Sequence, residues 1–232
     1  MRFAQAMTGR LPVVARFDIH SYYESIVHDV LLDQLVQARD SADLLVLVGD
    51  YLRTPDLRLT GQGLVAGAAL SPLLGALYLT PLDRAMADLA QAGIRYQRFM
   101  DDFVIFAPTR HKLRTDTIRR LYAVLAPLQL RLHPDKRFIG NTSKGFDFLG
   151  YRFRPGRKLR PAAQSIDRLI TRARRLHEQG ADRHRLRRYA WRWYRWRHGG
   201  LRGRVSTMGC FTHIWIRVLQ HLHNDGASPG SD

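Results

Sequence analysis

The sequence predicts an α+β fold, an antiparallel sheet with packed helices, followed by a basic and wholly helical C-terminal part. Three observations carry this. Val13-Val14-Ala15-Arg16-Phe17-Asp18-Ile19 is a β-branched run that closes on an acid. Ile94 to Ala107 is a second β-prone segment, interrupted by Asp101-Asp102 and bounded by Gly93 and Pro108, so it reads as a hairpin with an acidic tip. From Arg152 to Arg217 there are nineteen Lys and Arg against three acidic residues, on segments with helical spacing.

The chain has 232 residues, 45% of them hydrophobic, which is enough for one substantial core or two small ones. A formal net charge of +17, almost all of it in the last third, calls for a polyanionic partner and fits a module that grips a nucleic-acid backbone. One cysteine, Cys210, excludes an internal disulfide framework and a multi-cysteine zinc site. No apolar run is long enough to span a bilayer and the start lacks the apolar core of a signal peptide, so the expected location is cytoplasmic with no membrane partner.

In order, residues 1 to 12 carry no clear period and read as a lead-in. After the first strand, His20 to Ile26 is a turn. Asp29–Gln37 and Ala42–Leu52 are helices with apolar residues at helical spacing. Leu57–Thr60 is a short strand, and Gly61, Gly63 and Gly67 mark a backbone that bends or approaches something closely. Ser71 suits an N-cap, with Pro72 first in a helix that should run unbroken to Gly93. Beyond the acidic hairpin, His111–Leu125 is an amphipathic helix ended by Pro127, and Leu128–Leu132 alternates like a half-exposed strand. Gly145–Tyr151 is a short aromatic strand between glycines. Ser165–His177, Arg183–Arg197 and Val205–Leu222 are helices, on the second of which Tyr189, Trp193 and Trp196 share a face and predict a small core. Asn224–Asp232 reads as a disordered tail.

A carboxylate at the end of a buried strand needs a partner or a metal, because burying it alone costs several kcal/mol. Asp101 and Asp102 by themselves would also suit a polar turn. Together with Asp18 they supply three carboxylates able to converge on divalent ions, and oxygen-only ligands favour magnesium (Mg2+), with Mn2+ as a substitute. A pair of such ions serves in-line phosphoryl displacement.

These segments resemble the successive palm motifs of reverse transcriptases, especially the bacterial group II intron type. The likeness rests on Phe17-Asp18-Ile19 with Tyr23, on Gly67-Ala68-Ala69-Leu70-Ser71-Pro72, on the aromatic-x-Asp-Asp signature Phe99-Met100-Asp101-Asp102, on Leu130 to Lys136, and on Phe146-Asp147-Phe148-Leu149-Gly150-Tyr151. It implies a polymerase palm over residues 13–155, a basic thumb over 156–223, a fingers remnant at 1–12 and a tail at 224–232. It further implies an RNA-directed DNA polymerase that extends a DNA or RNA primer on an RNA template with dNTPs. Asp18, Asp101, Asp102 and the Ile19 carbonyl would bind metal, and Lys136 would act near the triphosphate. Tyr23 would gate against the ribose 2′-hydroxyl beside a nucleotide pocket of Ala66, Gly67 and Ser71. Ala66 stands where the family usually has glutamine. Phe148, Leu149 and Gly150 would grip the primer, and Arg187, Arg192 and Arg195 would neutralise the nucleic-acid backbone.

Only seventeen residues precede Asp18, where the family carries a fingers region. The expectation is therefore a truncated product, an excised domain, or a polymerase completed by a fingers-supplying protein. The rival reading is a non-catalytic RNA-binding protein on the same fold, maturase-like or a component of phage defence.

Overall fold

A computed structural model describes residues 1–38, 41–53, 61–65, 67–201, 203–206 and 211–223. Ala66, Cys210, the strand expected at 57–60 and the tail expected at 224–232 lie outside the described residues. The chain divides into two compact units, Met1–Thr142 and Ser143–Asp232, where the sequence places the palm boundary at 155.

The first unit is built on a four-stranded antiparallel sheet of β1 (Val13–Asp18), β2 (Arg95–Phe99), β3 (Asp102–Ala107) and β4 (Phe138–Asn141), in the order β2-β3-β1-β4. The strand and hairpin expected from the sequence are β1, β2 and β3. Strand β4 was not anticipated, since Gly140 and Asn141 are poor strand formers, and it pairs along the far edge of β1. Because side chains alternate along a strand, one face of β1 and β3 carries Ala15, Phe17, Phe103 and Ile105 into the main core. Phe17 and Phe103 lie 5.6 Å apart between ring centres, and Tyr96 lies 5.9 Å from Phe103. The opposite face carries Arg16, Asp18 and Asp102.

Helices cover the core face. They are α2 (His28–Gln37), α3 (Ala42–Leu52), α4 (Ser71–Tyr78), α5 (Thr80–Ala87), the short α6 (Arg110–Lys112) and α7 (Arg119–Leu125). A π-helical segment, Leu113–Ile118, joins the last two. The long helix expected from Ser71 to Gly93 is broken after Tyr78, because Pro81 offers no N–H to continue the ladder and starts α5 instead. Residues 128–132 do not form the alternating strand expected. Gln129 takes a positive φ of 54°, which ends extension there, and only Leu132 bridges to Ile19. The lead-in also holds a helix, α1 (Arg2–Thr8), seven residues long, with Ala4 and Met7 buried. Its Ala4 N–H donates to Gln97 on β2 at 3.1 Å, on the face of the sheet that bears the acids.

The second unit pairs a three-stranded sheet, β5 (Phe146–Phe148), β6 (Tyr151–Phe153) and β7 (Arg160–Pro161), with helices α8 (Ala163–Glu178), α9 (Arg183–His198) and α10 (Phe211–His223). The single aromatic strand of the sequence reading is thus a hairpin. Leu149 and Gly150 both adopt positive φ, 48° and 77°, as a two-residue hairpin turn demands. Leu169, Ala173, Leu186, Ala190 and Val218 form the helical core, joined by Tyr189 and Trp193 at its margin. Trp196 does not join them and is 70% exposed. Among the described residues no helix is long and apolar enough to cross a membrane.

Phe103 is fully buried at the centre of the first unit. Phe103→Ala is expected to cost about 3–5 kcal/mol in denaturant unfolding followed by circular dichroism, by the lost burial and the cavity left. A cost below about 1 kcal/mol would mean that the sheet is not the centre of this core.

Candidate active site and nucleic-acid surface

The register of β1 on β3 sets Asp18 directly opposite Asp102, at the end of both strands. Directly opposed residues of an antiparallel pair put their side chains on the same face, so two carboxylates are neighbours by construction. Asp101 belongs to the tight turn of the hairpin, whose other member, Met100, takes a φ of 55°. The Asp101 carbonyl accepts the N–H of Ile19 at 3.2 Å, which ties the tip to the end of β1. Arg98 fixes the same tip from the other side. It donates to the Met100 carbonyl at 3.1 Å and to Asp83 at 2.9 Å, and Tyr96 donates to the same Asp83 oxygen at 2.9 Å.

Each of two acids has a cation of its own. Arg16, two residues before Asp18 and on its face, donates Nε to Asp102 Oδ1 at 3.1 Å and Nη2 to Oδ2 at 3.5 Å. Lys136 donates Nζ to Asp18 Oδ1 at 3.1 Å. The loop carrying Lys136 is positioned by backbone bonds, His133 N–H to the Asp18 carbonyl and His20 N–H to the Arg131 carbonyl, both 2.8 Å. Burial pushes the Asp102 carboxyl up to about 6, against the pull of Arg16 and with the help of repulsion from Asp18 and Asp101. Burial also raises Asp101, and there Asp18 adds to the rise while Lys136 opposes it.

Carboxylate oxygens strained by burial and mutual repulsion are a donor set suited to a hard divalent cation. Among the described residues, no three His, Cys, Asp or Glu side chains are gathered as a metal shell. The three acids therefore fit such an ion by donor type and by charge, with Lys136 and Arg16 holding two of them as folded.

Tyr23 sits beside the tip, its hydroxyl 3.7 Å from Met100 Sδ. Its phenol is raised by burial first and then by the charge of Asp101. Gly75 of α4 leaves room for the rings of Tyr22 and Tyr23, since a Cβ there would stand 3.1 Å from the Tyr23 ring and 3.3 Å from that of Tyr22. Gly67 is exposed with a φ of 85°. Ser71 is not the N-cap expected. It is the first residue of α4, buried, donating to the Val65 carbonyl at 2.6 Å and sharing a 2.8 Å hydrogen bond with the Tyr51 hydroxyl. Its hydroxyl thus pins the glycine-bearing loop.

In the second unit, Phe148 is fully buried against Phe153, so its ring belongs to the core of the hairpin and not to a nucleic-acid surface. The Leu149–Gly150 turn is half-exposed and is clamped by Arg197. That guanidinium is buried, donates to the Gly150 carbonyl at 3.2 Å, the Leu149 carbonyl at 3.4 Å and Ser165 Oγ at 2.8 Å, and lies over the rings of Tyr151, Trp193 and Trp196. Arg187, Arg192 and Arg195 are all exposed on α9. Arg16, Arg98 and Arg197 were missed in the sequence reading. A period of two pointing back from Asp18 marks Arg16; nothing local marks the other two.

Residues 4–153 match the family model for reverse transcriptase (RNA-dependent DNA polymerase). None of the curated proteins matches. Solved structures share the fold, among them two telomerases. An apo telomerase from Candida tropicalis aligns over 95% of this chain at 11% identity and a TM-score of 0.53. The telomerase from Candida albicans, bound to a fragment of telomeric RNA, aligns over 90% at 12% identity and a TM-score of 0.52. This chain spans 49% and 40% of their respective lengths.

A carboxyl whose pKa is higher folded than unfolded favours the folded state most when protonated. The Asp102 contribution is therefore full below about pH 4 and lost as pH rises through about 6. Carbon-13 carboxyl titration should place the Asp102 midpoint near 6 and move it upward in Arg16→Met; a downward move would show that Arg16 is not its counterion. In the second unit Arg197→Lys, which keeps charge but not the fork, should cost about 1–3 kcal/mol and raise amide exchange at Gly150 and Tyr151. Unchanged exchange there would remove the clamp.

Proposed function

This chain belongs to the reverse transcriptase family, and on that premise we propose that it is an RNA-directed DNA polymerase of the bacterial group II intron type. The observation that supports this best is the register that sets Asp18 opposite Asp102 at the strand end, with Asp101 next to it in the turn, Lys136 on Asp18 and the Tyr23 hydroxyl near Met100. Residues 13–155 would serve as palm and 156–223 as thumb.

In this reading Asp18, Asp101 and Asp102, with the Ile19 carbonyl, would hold two Mg2+ ions. Such ions would lower the pKa of a primer 3′-hydroxyl and stabilise charge on the pyrophosphate leaving group. The chain's own residues do the rest. Lys136, which holds Asp18 at 3.1 Å, would set its ammonium near the triphosphate. The Tyr23 ring, whose hydroxyl is 3.7 Å from Met100 Sδ beside the acids, would meet a sugar 2′-hydroxyl. Ser71 would shape the nucleotide pocket with Ala66 and Gly67 through its hydroxyl, which donates to the Val65 carbonyl at 2.6 Å. The Leu149–Gly150 turn would steady the primer, and Arg187, Arg192 and Arg195 would neutralise template and primer phosphates.

Primer extension on an RNA template in Mg2+ tests the proposal. Asp101→Asn should lower extension about a thousand-fold while template binding changes little. Extension retained by the Asp101→Asn, Asp102→Asn double variant would sink it and favour a binding protein on this fold. Tyr23→Ala should admit ribonucleotides; an unchanged preference for dNTPs would remove the gate.

A further inference from the structure

Helix α9 has two faces. Leu186, Ala190, Trp193 and Arg197 turn inward, whereas His184, Arg187, Arg188 and Trp191 follow one another at i, i+3, i+4 and i+7 along the outside. With Phe211 at the start of α10, this outer stripe lines a cavity of about 370 Å³. Its walls are largely apolar and its rim is cationic. Trp191 is 44% exposed, although its ring already packs on Tyr194, 5.6 Å away, and meets the edge of Phe211 at 5.0 Å. Among the described residues neither Arg187 nor Arg188 has a carboxylate partner.

A large half-exposed indole fixed in place by two other rings is costly to leave in water and loses little freedom on binding. Two unpaired guanidiniums at its rim select against an apolar or cationic occupant and for one that pairs a flat π-face with a phosphate. We propose that this cavity is a stacking site for one unpaired nucleotide of a single-stranded nucleic acid, with the base against Trp191 and the flanking phosphates on Arg187 and Arg188. The site lies wholly in the second unit and does not depend on polymerase chemistry.

The test is fluorescence anisotropy of a labelled oligouridylate of about 16 nucleotides with the full chain, without divalent ions or dNTPs, so failure here and failure of the polymerase reading are separable. Trp191→Leu keeps the site apolar but cannot stack, and should weaken binding about ten-fold. Trp191→Phe should stay within about three-fold of the parent. On an abasic strand with the same phosphates, Trp191→Leu and the parent should bind alike. Arg187→Gln with Arg188→Gln should reduce the salt slope by about 0.7 for each phosphate no longer neutralised, whereas Trp191→Leu should leave it unchanged. Equal binding of the Leu and Phe variants, or an equal loss on the abasic strand, would overturn the proposal. Melting of each variant is followed by circular dichroism; should Trp191→Leu melt early, the arginine pair and the abasic comparison with Trp191→Phe decide.

Discussion

The pairing of β1 with β3 is the constraint from which the first unit follows. A strand has two faces, and a slip of one residue exchanges them. With Phe17 opposite Phe103 and Ala15 opposite Ile105, these apolar side chains of both strands face the helices, and Asp18 and Asp102 have to share the other face. Hydrophobic burial thereby does electrostatic work. It sets two like charges opposite each other at the strand ends, and the short turn through Met100 carries a third acid next in sequence to Asp102.

Such crowding has to be relieved, and the surrounding arginines and lysine do so from separate pieces of chain. Arg16 comes from β1 itself, Lys136 from the loop bonded to its end, and Arg98 braces the tip against Asp83 and the Met100 carbonyl. The second unit solves the opposite problem. Arg197 is a buried cation with no carboxylate among its described partners; its two terminal nitrogens donate to carbonyls and a serine hydroxyl and its plane lies over three aromatic rings, while its Nε has no hydrogen-bond partner. The same interaction makes the hairpin turn at Leu149–Gly150 part of the helical core.

Much of this was legible in the residues. The β-branched run before Asp18, the aromatic flanks of Asp101-Asp102 and the helices α2, α3, α8 and α9 each depend on local period and composition and lie within about two residues of the expectation, whereas the last helix begins at Phe211 and not at the expected Val205. What failed depended on partners distant in the chain or on single backbone angles. Strand β4 exists because β1 had an open edge. The helix after Ser71 stops where Pro81 removes a donor, and Gln129 turns a strand-like alternation into a bend. Trp196 follows the spacing of a core residue, yet it lies outside because Arg197 is the one drawn in. Trp191 carried no signal at all, since its meaning arises only where α9 meets Phe211.

The pairs Lys136–Asp18 and Arg16–Asp102 have a consequence for assembly of the acid cluster. Small metal-dependent domains cannot fold until their ion arrives, because their ligands would otherwise stand as unpaired charge. Here the polypeptide brings its own counterions, so the sheet can close first. The acids are thus held in place by the fold itself, before anything binds to them.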